Sequence, residues 1–222
     1  FYNHTFFGRD ASMSAKFVAD FDHAVTYETI VALSALQGTK HNPRTQEAPG
    51  RIHHELRDFR LWKSARLSDR MMFWLARLLW GTENGQMLTY YAVDTTANYI
   101  RLVHKYASHI DRSVINRTIT DRHGDKRTIT ACLEAAGDWI VSQIDEHGYF
   151  CSHREARTSL LYQTFQDSVT AYSWPDGHAL DYKQPIAYVE AQAFAIDALQ
   201  DLARMLDTHD KAEMWREAAK RM

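Results

Sequence analysis

Carboxylates and amides at the starts of helix-like segments are the residues most able to do chemistry in this chain. Arg9 and Asp10 follow Gly8, and Asp94 precedes Thr95 and Thr96. Asp167 lies between Gln166 and Ser168, and Glu190 falls in the apolar run Pro185–Phe194. An adjacent Arg–Asp pair can donate to one sugar hydroxyl and accept from another. Asp94 has a plainer alternative, an N-cap accepting backbone N–H bonds. Asp167 sits in a stretch with Tyr162, Phe165, Tyr172 and Trp174. Aromatic rings that strip water from a carboxyl disfavour its charged form and raise its pKa. A general acid for glycoside cleavage needs that shift near neutral pH. A loop or capping carboxylate bonded to Ser168 fits the same spacing equally well. Glu190, if buried, needs a donor or a cation beside it.

Other chemistries find little support. His53, His54 and Glu55 are adjacent but lack the order and spacing of a zinc-binding H-E-x-x-H helix. The 12 histidines are otherwise scattered, so no metal is expected. No glycine-rich phosphate loop, nucleophile elbow or informative Cys–His spacing is present, and no cofactor is expected. Lys plus Arg number 26 against 28 Asp plus Glu, a formal net charge of -2. That balance disfavours a nucleic-acid partner. No apolar run approaches a membrane span and no signal peptide is recognisable, so the expected setting is the cytoplasm, away from membranes. Cys132 and Cys151 are too few for a disulfide framework and read as ordinary thiols.

The elements that must position these residues read as helices. Apolar spacing predicts helices over 11–20, 23–37, 68–79, from Asp94 or Thr95 onward, 129–146 and 185–206, with a last one from Thr208. Pro185 suits the first turn of the sixth. Loops at 38–66 and 147–184 are long enough to suggest function. Strand signals are poor; 160–165 is the only candidate. The expectation is an all-α chain. If successive helices run up and down, alternate N-termini share one rim, and the polar junctions at 8–10, 93–95, 166–168 and 185–190 could meet there.

Five stretches together resemble the amylo-α-1,6-glucosidase domain of glycogen-debranching enzymes: FFGRDAS at 6–12, LQGTKHNPRTQEAPGRIHHELR at 36–57, YYAVDTTANYIRLV at 90–103, YQTFQDS at 162–168 and PIAYVEAQAFAIDAL at 185–199. The second is the most specific. The resemblance implies an (α/α)6 toroid, with residues 1–222 as part of one such catalytic domain, truncated at both ends. About seven helices make just over half of a twelve-helix ring. It also implies an inverting glycoside hydrolase for α-glucosidic linkages in glycogen or oligosaccharides. Asp167 maps onto the general acid, and Arg9 and Asp10 onto a pair holding the innermost sugar. His54, Glu55, Arg57, Asp94, Gln163, Glu190 and Gln192 would line the pocket. The base, a Glu, is expected beyond Met222, so the isolated chain would be inactive or would associate with a missing C-terminal half. The acid motif departs from the family, with Thr164, Phe165 and Gln166 in place of Gly, Trp and Lys, and Ala97 stands where the family has Pro. Three alternatives remain: a glycosidase for a small α-glycoside such as trehalose or a glycosylglycerate, a non-catalytic carbohydrate-binding module, and a plain helical interaction protein.

Overall fold

A computed structural model describes residues 5–61, 67–166, 168 and 171–222. Asp167 and its aromatic-flanked carboxyl lie outside the described residues. Seven α-helices occur among them: α1 (Gly8–Val18), α2 (His23–Ala35), α3 (Leu67–Trp80), α4 (Thr95–His109), α5 (Ile129–Ser142), α6 (Val189–Met205) and α7 (Ala212–Arg221). Five short strands accompany them: β1 (Thr5–Phe7), β2 (Glu55–Asp58), β3 (Gln86–Thr89), β4 (Thr118–Thr120) and β5 (Lys126–Thr128). The first three form an antiparallel sheet in the order β1-β2-β3, and the last two a hairpin.

The all-α expectation, and with it the (α/α)6 toroid, is therefore overturned: the chain is mixed, with two small antiparallel sheets. The reason is physical. Each strand has three or four residues, too few for a period-two pattern to declare itself. Three of them gain their partners only through non-local pairing, Thr5 opposite Arg57 and Glu55 opposite Thr89. The stretch 160–165, by contrast, forms no strand.

Helix positions follow the apolar spacing, and boundaries move where side chains favour something else. The second helix starts at His23 because the Asp22 carboxyl accepts from the Val25 N–H at 3.0 Å, an N-cap bond. Thr128 caps α5 in the same way through the Ala131 N–H. The sixth starts at Val189 rather than at Pro185, because Ile186 is held extended by a two-way backbone bridge to Ser152. No helix follows Ser168 among the described residues, and 171–188 is a series of turns and bends.

The core lies where α4, α5, α6 and α7 meet. Ile100, Leu102, Val103, Leu133, Ile140, Leu199, Leu202 and Trp215 are buried there, and α4 packs on α6 and on α1. Burial of such side chains is worth roughly 1.5–3 kcal/mol each, which fixes these helices far more firmly than propensity alone. Cys132 and Cys151 are free and buried. Among the described residues no helix is long and apolar enough to cross a membrane.

Candidate functional site

Three helix N-termini supply the central residues. Arg9 is the second residue of α1, Asp94 immediately precedes α4, and Glu190 is the second residue of α6. Aligned peptide dipoles make such ends favourable for negative charge. The junction at Gly8 sets the first of these. Its N–H donates to the His54 carbonyl at 2.9 Å, and a Cβ there would come within 2.2 Å of the His53 carbonyl oxygen. Only glycine lets α1 start so close to the strand that follows His54.

Asp94 is almost fully buried, yet its carboxyl makes no capping bond to α4. It accepts instead from Arg9 Nε, which lies 2.9 Å from each of its two oxygens. Burial pushes the Asp94 carboxyl above its ordinary pKa, while Arg9 pulls the other way. Arg9 Nη2 is buried without a partner.

Glu190 lies close enough to this pair for its charge to act on Asp94 and for Arg9 to act on it. Its Oε1 accepts from Thr164 Oγ1 at 2.6 Å and from Tyr172 Oη at 2.8 Å. Partial burial would raise its pKa, but the donors Thr164 and Tyr172, its own backbone N–H and the Arg9 charge bring it below the ordinary value. Thr164 is placed by the bond from the Val93 N–H to the Gln163 carbonyl, 2.8 Å, which ties the 162–164 segment beside Asp94. Gln163 is a structural hub: its side chain accepts from Ser152 Oγ at 2.8 Å and donates to Gln46 Oε1.

The remaining expected residues divide. His54 is buried beside Phe7, and burial with the nearby Arg9 charge lowers its pKa to about 3, so it is neutral at pH 7. Glu55 pairs with Arg57 on β2; burial raises the Glu55 carboxyl against the opposing bond from Arg57. These three line a separate, partly open cavity of about 220 Å³ whose described lining includes none of Arg9, Asp94 and Glu190. Asp10 is exposed on α1 and does not join the buried pair. Gln192 clasps the backbone of Phe150, accepting from its N–H at 2.8 Å and donating to its carbonyl at 2.6 Å, so its amide holds a loop. Of the aromatics near residue 167, Tyr162 is buried, Phe165 and Trp174 are exposed, and Tyr172 serves Glu190.

Sequence reasoning missed two participants. Thr164 stood out only as a departure from a motif and Tyr172 only as a ring, while both act through their hydroxyls. The sole available signal was that Glu190, in an apolar run, required donors.

No protein-family model matches the chain, and no curated protein matches it either.

The arrangement can hold a neutral polyol. Arg9 supplies an unpartnered donor, Glu190 an acceptor, and Asp94 fixes the guanidinium between them. Hydroxyl groups satisfy both kinds of partner at once.

Proposed function

We propose that the chain acts on carbohydrate as a glycoside hydrolase for α-glucosidic linkages, of the amylo-α-1,6-glucosidase kind. The observation that carries this reading is the Arg9–Asp94 pair at two helix starts, with Arg9 Nη2 buried and without a partner and with the Glu190 carboxylate of a third helix start within reach of its charge. A buried guanidinium nitrogen left without an acceptor costs about 1–3 kcal/mol or more, and a bound hydroxyl would satisfy it. The five stretches resembling debranching enzymes support the same reading.

In the proposed reaction Asp167 protonates the leaving glycosidic oxygen. Arg9 Nη2 donates to a hydroxyl of the sugar, and Glu190, kept ionised by Thr164 and Tyr172, accepts from another. Asp94 holds the guanidinium plane. Both carboxylates are thereby engaged in positioning and are not assigned to activating water. In an inverting reaction the base would stand roughly 6.5–9.5 Å from the acid.

The test is calorimetric and kinetic. The chain should bind maltooligosaccharides and branched α-glucans, and Asp167→Asn should abolish turnover while leaving binding within about threefold. No binding of any α-glucoside would refute the reading. Turnover only of small substrates such as trehalose would move the assignment to a small-glycoside enzyme. Because Asp94 and Glu190 are both taken up by protein donors, a second reading is a carbohydrate-binding module without chemistry. Sugar binding with no hydrolysis, even in the full-length protein, would favour it.

A further inference from the structure

Left-handed backbone is uncommon outside glycine, yet Gln46 adopts it, at φ 54°, while buried. Glycine would take that conformation at less cost, so the position keeps a side chain at the expense of strain. Such strain persists where the surroundings require it, and the bonds of Gln46 show what requires it. Its Nε2 donates to the His153 carbonyl, and its Oε1 accepts from Gln163 Nε2. Its carbonyl accepts from Arg51 Nη1 at 3.1 Å, and Arg51 Nη2 donates to the Tyr91 carbonyl at 3.3 Å. Arg51 is itself buried, its guanidinium over the Trp139 ring, 4.9 Å from the centroid.

These bonds close on themselves. Arg51 reaches Tyr91, just before Val93 in the chain. The Val93 N–H donates to the Gln163 carbonyl at 2.8 Å, and the Gln163 side chain returns to Gln46. Ser152 Oγ donates to Gln163 Oε1 at 2.8 Å, and the Gln163 N–H donates to the Tyr188 hydroxyl at 3.2 Å, bracing the same residue from two more segments. The circuit has two exits, each the next residue in sequence. Asp94 follows Val93 and holds Arg9; Thr164 follows Gln163 and donates to Glu190. Opening any link leaves a buried donor or acceptor without its partner, so the circuit yields as a whole or not at all. The Arg9–Asp94 pair and the Thr164–Glu190 pair are thus set relative to one another from behind, by an amide and a guanidinium whose own bonds go elsewhere.

We propose that Gln46 and Arg51 are positioning residues of the Glu190 site, their closed circuit of hydrogen bonds fixing Thr164 relative to Asp94. The inference deepens the carbohydrate reading and rests on it for the ligand, while the circuit is tested without one.

The test follows the Glu190 carboxyl by carbon-13 NMR in the full chain, from neutral pH downward, its signal assigned by its absence in Glu190→Gln. The described groups that act on this carboxyl are Arg9 from α1, Asp94 at the start of α4, and Thr164, Tyr172 and Tyr188 from the loops before α6. Gln46 carries no charge, so a change there reaches Glu190 by moving one of these. Gln46→Gly deletes the amide while easing the backbone, and Gln46→Met fills the space without polar atoms. Both should release Thr164 and raise the Glu190 midpoint by about half a pH unit or more, part of what hydrogen bonds to a charged carboxyl contribute. Leu133→Ala, in the core and outside the circuit, should lower stability and leave the midpoint where it is. A midpoint unmoved in both Gln46 variants, or moved as far by Leu133→Ala, overturns the proposal. One readout on the wild-type protein stands whichever variants fold: the Gln163 side-chain N–H protons should exchange slowly with solvent, and fast exchange overturns the proposal too. Calorimetry with maltotriose on the same samples separates the two readings. A raised midpoint with no sugar bound supports the circuit and counts against the enzyme. Sugar bound with an unmoved midpoint does the reverse.

Discussion

Arg9 Nε sits 2.9 Å from both carboxylate oxygens of Asp94, 85 residues away along the chain. The Asp94 side chain is 1% exposed and that of Arg9 13%. Removing one member of so buried a pair costs about 3–5 kcal/mol, mostly from the charge left behind. Arg9→Met keeps the apolar stem and strips the cation, so it should lower the unfolding free energy by about that amount in urea titrations. Asp94→Asn in the same chain should recover a large part of the loss, because no carboxylate is then stranded. A double-mutant cycle measures the coupling, expected at about 0.5–3 kcal/mol. Additive effects would mean that the two groups do not act as a unit.

Glu190 is held ionised by hydroxyl donors, and their removal tests that role. Thr164 and Tyr172 bond the charged form of the carboxyl and lower its pKa against partial burial, which raises it. Thr164→Val with Tyr172→Phe should therefore move the Glu190 pKa upward. Sugar binding that needs the ionised carboxylate is lost as pH falls through that pKa, so the acid limb of the binding profile should shift to higher pH in the double variant. Glu190→Gln should weaken binding about tenfold and flatten the same limb, in keeping with loss of a charge-assisted hydrogen bond of about 1.5–3 kcal/mol. Calorimetry across pH 4–7 follows both. An unmoved limb would show that Glu190 does not face the ligand.

The helices, and the placing of Arg9, Asp94 and Glu190 at helix starts, were legible in the sequence because apolar spacing and helix starts are local signals. What Asp94 does there was not. Its position before Thr95 reads as a cap, and only the distant Arg9 decides otherwise. The sheet was hidden for the same reason. Thr5–Phe7 carries no alternation long enough to read, and its pairing with Glu55–Arg57 spans some fifty residues. The spacing of Glu190 and Gln192 points them to different faces, while the resemblance places both in the pocket; in the structure Gln192 holds the Phe150 backbone and Glu190 joins the cluster. Two residues apart on a helix, they project in different directions, and nothing local tells which direction meets the cluster.

Gly8 joins the sheet to the site. A methyl group at this position would meet the His53 carbonyl oxygen at 2.2 Å and the Thr95 methyl at 2.9 Å. Backbone on one side and the start of α4 on the other leave no flexible atom to yield. Gly8→Ala should therefore cost about 1–3 kcal/mol, the usual range for overpacking. It should also displace Arg9 from Asp94, so sugar binding should fall more than stability does. Thermal denaturation and calorimetry on the same sample separate the two effects. Unchanged values in both would show that α1 can start elsewhere.

His53 and His54 set an acid limit on the fold. Burial lowers both pKa values from 6.5 to about 3, helped by Arg122 at His53 and by Arg9 at His54. Unfolding returns each imidazole to the ordinary value, so below pH 6.5 the unfolded chain binds more protons than the folded one. The stability each contributes as a neutral ring is present in full above pH 6.5 and is lost as pH falls toward 3. At pH 4.5, two pH units below the unfolded value, each ring should cost on the order of 2–3 kcal/mol. His53 has no hydrogen-bond partner on either ring nitrogen and packs against Phe6. His53→Leu should therefore be nearly neutral at pH 7 and stabilising at pH 4.5, which halves the acid slope. Denaturant midpoints at the two pH values measure it. Parallel slopes for wild type and variant would mean that His53 is charged, or partnered by water, in the folded chain.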